Sequence, residues 1–227
     1  MDDIEVYGEL KSKGVLEDKI SDQGILVGFA NNLLRNILYL KLNEQEKIEM
    51  HHKASILFEE ILFETDYYIE EFLIHLERSN SYEKAYFYTL KYAKVQDLLG
   101  NLSKSILYYK KALKYPSSLS GSEVAIDIAK LYEKGSEHEK SYEFFEIANQ
   151  FAIQNDESEI KIYTLLEMII IKINDITDMD TEINYYLKCV RRLLDIEFYP
   201  KGEVFYHYAL SLKYRLEYNH QLTLINA

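Results

Sequence analysis

Between residues 81 and 152 the chain comes close to repeating itself. Gly100 lines up with Gly135, Ser105 with Ser141, Tyr109 with Phe145 and Ala112 with Ala148, a spacing of about 35 residues that lies within the range of helical solenoids. Small residues at Ser105, Ala112, Ser141 and Ala148 let antiparallel helices approach closely, and the aromatic between them fills the gap to the next pair. A helix pair of this kind leaves an apolar face open and is stable only when a neighbour stacks on it. The repeat thus restricts the chain to stacked helix pairs. Only 8 Gly and 2 Pro occur, too few for the turns of an all-β protein.

Helical patterns continue on both sides. Leu33, Leu34, Ile37 and Leu40 form an apolar stripe at helical spacing, ahead of Asn43. The segment Glu44 to Phe63 carries Ile48, Ser55, Ile56, Leu62 and Phe63 on one face, and Asn43 with Glu46 fits a reciprocal N-terminal cap. Asp66 fits a cap for a helix holding Ile69, Phe72, Leu73 and Leu76. Gly100 is expected in the left-handed conformation that ends a helix, with Gly135 at the equivalent place, and Pro116 stops the helix between them. A looser pair spans Glu159 to Ile173 and Asp180 to Leu194, with Ile183, Tyr186, Leu187, Val190 and Leu194 inward. A last helix, about Gly202 to Tyr218, carries Val204, Phe205, Tyr208, Ala209, Leu212 and Leu216, and Gln221 to Ala227 reads as the start of another, cut short. At the other end, Gly14 to Glu17 and Ile25 to Phe29 flank the polar run Ser21-Asp22-Gln23-Gly24, the pattern of a β-hairpin.

The order glycine, small, aromatic, alanine, proline at Gly100, Ser105, Tyr109, Ala112 and Pro116 resembles the second half of a tetratricopeptide repeat. A longer stretch, FANNLLRNILYLKLNEQEKIEMHHKASILFEE (Phe29 to Glu60), resembles the junction after the winged helix in bacterial signal-transduction ATPases of the STAND type. Phe29, Leu33 or Leu34, Arg35, Tyr39, Leu42 and His52 fall on that pattern, with Asn31 where a histidine is common. FLIHLERSNSYEKAYFY (Phe72 to Tyr88) resembles the start of the repeats in the same family through His75, Tyr82, Glu83, Lys84 and Ala85, with Ser79-Asn80-Ser81 in place of Ala-Gly-Asp. The resemblance covers Phe29 to Ala152. It implies a partial winged-helix-like segment with a β-hairpin over 1–43, tetratricopeptide-like repeats over 44–227 with the last truncated, and a nucleotide site outside this chain.

Catalytic chemistry has no candidate in these residues. Neither G-x-x-x-x-G-K-[ST] nor G-x-G-x-x-G occurs, so no phosphate-cradling loop is expected, and no serine sits in a G-x-S-x-G elbow. His51 and His52 are adjacent on a helix and point about 100° apart, which rules out joint chelation of the i, i+4 kind. His75, His138, His207 and His220 are scattered, and no metal or cofactor is expected. The acidic run Asp175 to Glu182 fails the calcium-loop pattern, having Cys189 where the twelfth-position glutamate belongs when counted from Asp178. Cys189, the single cysteine, excludes an internal disulfide and is expected to be a buried thiol. The acidic balance of 38 against 26, a formal charge of −12, argues against nucleic acid and anionic membranes as partners. Met1-Asp2-Asp3-Ile4-Glu5 is acidic where a signal peptide is basic, and the run Ile160 to Ile173 is too short to span a bilayer. A cytoplasmic location is expected.

The expected fold is therefore all-α: a right-handed superhelix of antiparallel helix pairs with a small N-terminal hairpin. Its expected role is a non-catalytic protein–protein interaction or sensor scaffold of a multidomain signalling or transcription-regulatory ATPase. A free-standing peptide-sensing regulator or adaptor is the alternative. In a solenoid the first helix of each pair lines a concave face that takes protein or peptide segments. The groove residues expected on that basis are Lys94, Asp97 and Leu98 and, one repeat on, Ala129, Tyr132 and Glu133. Oligomeric state is not set by the sequence.

Overall fold

The computed structural model describes residues 3–21, 24–62, 68–116, 121–174, 180–196 and 198–226. They form two compact units, Met1–Ser81 and Tyr82–Ala227. The first holds α1 (Asp3–Ser12), the antiparallel strands β1 (Leu16–Ser21) and β2 (Gly24–Phe29), then α2 (Asn32–Lys41), α3 (Glu44–Leu62) and α4 (Ile69–Arg78). Among the described residues the second holds the helices α5 (Tyr82–Leu98), α6 (Leu102–Ala112), α7 (Gly121–Lys134), α8 (His138–Gln154), α9 (Ser158–Asn174), α10 (Asp180–Ile196) and α11 (Pro200–Asn226). The hairpin pairs Leu16 with Phe29 at its open end and Ser21 with Gly24 at its closed end.

Tight reversals produce the stacking. Within the second unit Gly100, Ser136 and Asp156 have φ of 77°, 58° and 58°, the left-handed region. After each, the next N–H reaches back into the preceding helix. Asn101 donates to the Gln96 carbonyl at 2.9 Å, Glu137 to Tyr132 at 2.9 Å and Glu157 to Ala152 at 2.8 Å. This cap satisfies carbonyls that a helix end otherwise leaves open, and it folds the chain straight into the next helix. The left-handed residue after α7 is Ser136, not Gly135 as the sequence spacing implied. Gly135 still donates to the Leu131 carbonyl at 3.1 Å, so it belongs to the last helical turn. With Ser136 opposite Gly100, the turn shares the offset of Ser105 with Ser141.

Packing in the second unit follows the small–aromatic pattern. Ser105 and Ala112 are buried, and the Ser105 hydroxyl donates to the Ala93 carbonyl of α5 at 2.8 Å. Phe145 and Ala148 of α8 lie in one cluster with Ala125 and Ala129 of α7 and Met168 and Ile171 of α9. A second cluster joins Ile162, Leu166 and Ile169 of α9 to Ile183, Leu187, Val190 and Leu194 of α10 and Ala209 of α11. A polar tie links α8, α9 and α10: Lys172 pairs with Glu182 at 2.8 Å and lies over the Tyr142 ring, while the Tyr142 and Tyr186 hydroxyls are 3.1 Å apart.

Several inward assignments are corrected. In α2 the stripe faces out: Leu33 and Leu40 are 66% and 74% exposed, and no residue of this helix is buried. In α3 the inward positions are His51 and Ser55, and Ile56 is exposed. That helix does carry the expected reciprocal cap, with Asn43 N–H to Glu46 at 2.8 Å and Glu46 N–H to Asn43 at 2.9 Å. Phe63 and Asp66, and the side chain of Leu62, lie outside the described residues; Tyr68, just ahead of α4, makes no side-chain cap. In α11, Val204 and Tyr208 are exposed. This helix runs unbroken to Asn226, because nothing between Tyr218 and Asn226 breaks a helix the way Pro or Gly would. Cys189 is half-buried rather than buried: it packs against the edge of the second cluster and lines a cleft of about 250 Å³ among α8, α9 and α10. Residues 175–179 of the acidic run are outside the described residues, and no helix among the described residues is long and apolar enough to cross a membrane.

Candidate partner-binding face

Helices α5, α7 and α9 each give one side to the core and carry charged groups on another. The spacing sets this. In α7, Ala125, Ile128, Ala129 and Tyr132 are buried, while Glu123, Lys130 and Glu133 are exposed and Asp127 is half-buried. Glu123, Asp127, Lys130 and Lys134 recur at helical intervals and so share one stripe. Lys94 of α5 and Lys130 of α7 stand at the same offset as Gly100 and Ser136, so they are repeat-equivalent.

Asp127 is the centre of the arrangement. Burial pushes its carboxyl above the usual range; Lys94 and Lys130 act against the shift, the Tyr109 hydroxyl donates to it, and Glu123 adds to it. Tyr109 in turn is pushed far up, first by burial and then by the charge of Asp127. One helix pair on, Glu167 of α9 repeats the theme. Its carboxyl is raised by burial and by Glu133, accepts a hydrogen bond from Tyr163, and is held down by Lys130. Lys130 also lies over the Tyr163 ring at 5.2 Å, and Tyr163 stacks with Phe205 of α11, which stacks with Tyr208. The face is lysine-rich at α5, mixed at α7, and acidic and aromatic toward α9 and α11.

The six residues expected from sequence divide. Lys94 is exposed, and Asp97 is half-buried in an ion pair with Lys134 at 2.8 and 3.1 Å that ties α5 to α7. Leu98 is 86% exposed, and Glu133 is exposed and acts on Glu167. Ala129 and Tyr132 do not line a groove. Ala129 is fully buried in the cluster with Phe145. Tyr132 is held between α6 and α8, accepting from Lys110 at 2.8 Å and packing on Phe144 at 5.6 Å. Both sit on the side of α7 that meets the second helices, and the aromatic ring fills the inter-helix gap. Asp127, Lys130, Tyr163 and Glu167 are absent from the residues that sequence reasoning picks out. The signal available for them is the Glu123–Asp127–Lys130–Lys134 stripe, which interrupts an otherwise apolar helix at regular spacing.

The histidines are less scattered than the sequence suggests. In the first unit His51 and His75 meet Nδ1 to Nδ1 at 2.8 Å, and the Tyr39 hydroxyl is 3.1 Å from His51 Nε2. His52, which falls on the family pattern, is exposed. No group of three or more metal-ligating side chains occurs among the described residues.

No protein-family profile matches the chain, and no curated protein matches it. Among solved structures it is similar to a signal-transduction ATPase with numerous domains (STAND) protein with a tetratricopeptide repeat sensor from Pyrococcus horikoshii, with a TM-score of 0.50 and 16% identity. The similarity covers 86% of this chain and 31% of that one. At this identity it shows the fold: a tetratricopeptide-like arrangement of helices.

Proposed function

We propose that the face formed by α5, α7 and α9 docks an extended protein or peptide segment of mixed charge, and that the chain serves as the sensor part of a STAND-type signalling ATPase. The observation that carries the docking reading is Asp127. It is a partly desolvated carboxylate, positioned by Tyr109 between the repeat-equivalent Lys94 and Lys130, on a helix whose other side already supplies the core. Lys94 and Lys130 are exposed, so neither ammonium group belongs to the buried core. Partly buried charged groups strengthen contacts to a ligand because water competes less for them. The orientation expected is an acidic residue of the ligand over Lys94 and Lys130, with apolar or basic residues toward Tyr163, Phe205 and Glu167.

The placement in a STAND protein is supported by the fold likeness and by the β1–β2 hairpin between α1 and α2. On this reading the 1–43 segment is the remnant of a winged helix and the nucleotide-binding module lies outside these residues. An in-frame phosphate-loop motif upstream in the coding sequence is expected, and an in-frame stop immediately ahead of Met1 would remove the assignment. Docking is tested separately with arrayed mixed-charge peptides and the purified chain. Lys94→Glu with Lys130→Glu is expected to weaken captured peptides at least about tenfold at low salt, the size of about one lost charge contact at a partly buried site. Capture unchanged by the double variant, with its helical circular dichroism intact, would overturn the docking face.

A further inference from the structure

The contact among Tyr39, His51 and His75 has a chemistry the docking face does not use. His51 is almost fully buried, at 3% exposure. Its Nδ1 faces the Nδ1 of His75 at 2.8 Å and its Nε2 faces the Tyr39 hydroxyl at 3.1 Å. Phe58 stacks on the His75 ring at 5.1 Å, which fixes that ring. The three residues come from α2, α3 and α4 respectively.

Two Nδ1 atoms at hydrogen-bond distance hold one proton between them. With both rings neutral, one Nδ1–H donates to the other Nδ1. With one ring charged, the imidazolium donates to the neutral ring, and the bond between the rings is kept. With both charged, two N–H groups point at each other with like charges, and the contact cannot persist. The second proton is therefore the one that breaks the chain of bonds.

That break lies between α3 and α4, and as the two charged rings part, His51 Nε2 is drawn from the Tyr39 hydroxyl, its bond to the helix least able to hold itself. Among its residues α2 has none buried, and Leu33, Ile37, Leu38 and Leu40 are exposed. The half-buried Tyr39 is its link to His51, and Lys47 of α3 lies over the Tyr39 ring at 5.5 Å. An element with so few buried contacts opens at low free-energy cost.

We propose that Tyr39, His51 and His75 form a proton-sensitive latch that fastens α2 to α3 and α4 at neutral pH and lets it go when both imidazoles are charged. Among the described residues, the charged groups acting on the pair are Arg78 and Glu71 of α4, and β2 brings none. Burial first, then the charges of His75 and Arg78, hold His51 below the ordinary imidazole value of about 6.5. Burial and Arg78 do the same for His75, against the opposing pull of Glu71. An imidazole that binds its proton less tightly in the folded state stabilises the fold above about pH 6.5, and that contribution is lost as pH falls from there through the depressed folded values. The latch thus closes at neutral pH and opens as pH falls below the ordinary imidazole range, and the two protons come on in coupled steps.

Hydrogen exchange of the whole chain between pH 7.5 and 5, corrected for intrinsic exchange, reads α2 directly. Protection in α2 is expected to fall at least about tenfold over that range, while α8 is unchanged. His75→Gln, whose amide keeps a hydrogen-bonding group but does not titrate, is expected to remove most of the pH dependence. Tyr39→Phe, which leaves the imidazole pair intact, is expected to lower α2 protection already at pH 7.5. Imidazole proton resonances should show His51 and His75 taking up protons in two separated steps below the ordinary value. The latch is overturned by pH-independent protection of α2 in the unaltered chain, by an undiminished pH response in His75→Gln, or by two independent titrations near 6.5. These outcomes do not depend on a ligand at the α5–α7–α9 face.

Discussion

Gly100, Gly135 and Ser136 provide a test of the repeat in which three neighbouring changes have different signs. Gly100 has φ of 77°, and a Cβ added there would meet nothing within 4 Å. Gly100→Ala therefore costs only the left-handed conformation of an L-residue, about 1 kcal/mol. Ser136 already bears that cost at φ 58°, so Ser136→Gly is expected to recover about 0.5–1 kcal/mol, less the extra chain entropy that glycine brings to the unfolded state. Gly135 has no positive φ, and an added Cβ would sit at ordinary contact, 3.4 Å from the Tyr132 carbonyl. Gly135→Ala is therefore expected to be neutral or stabilising by up to about 1 kcal/mol, the helix preference of alanine. Urea unfolding followed by circular dichroism measures all three, and 1 kcal/mol corresponds to roughly 2–4 °C in a thermal melt at this size. If Gly135→Ala costs as much as Gly100→Ala, the turn lies at Gly135 and Ser136 is not the repeat equivalent of Gly100.

Other changes test separate parts of the structure. Ser105→Ala removes the bond to the Ala93 carbonyl and is expected to cost about 1 kcal/mol, whereas Ser141, equally buried but without a hydrogen-bond partner, should lose nothing or gain on the same change; equal losses in chemical denaturation would contradict this. Asp127→Asn keeps an acceptor for Tyr109 and removes a charge that burial disfavours. A carboxyl whose folded pKa is raised opposes folding once it is ionised, so the variant is expected to melt higher at pH 7, with the difference vanishing as pH falls through the folded value toward the unfolded one of about 3.9. A lower melting temperature at pH 7 would show that Lys94 and Lys130 outweigh desolvation. At Gly202 an added Cβ would come within 2.3 Å of the Tyr199 ring and 3.0 Å of Leu194, so Gly202→Ala is expected to cost about 1–3 kcal/mol and to raise hydrogen exchange in α10 and α11.

The repeat is legible in the sequence because its determinants are local. Small residues and aromatics at helical spacing, a left-handed glycine at Gly100 and the Asn43–Glu46 cap each act within one or two turns of helix. The face is only half legible. Periodicity says which residues of α7 share a side, but not which side meets the second helices, and so it assigns Ala129 and Tyr132 to a groove while they serve the core. Ser136 escapes notice because serine bears the left-handed cost silently, whereas glycine advertises it. The meeting of His51 with His75 joins helices separated by 24 positions, and no local pattern encodes a contact that depends on how α3 and α4 pack.

The docking face is tested most directly by a hydrogen-exchange footprint of the whole chain with a mixed-charge peptide selected from the array. Slowed exchange is expected in α5, α7 and α9 around Lys94, Asp127, Lys130 and Glu167, and it should be absent when Lys94→Glu and Lys130→Glu are combined. Protection confined to α6, α8 and α10, or persisting in the double variant, would place the partner on the opposite helices and contradict the proposed face.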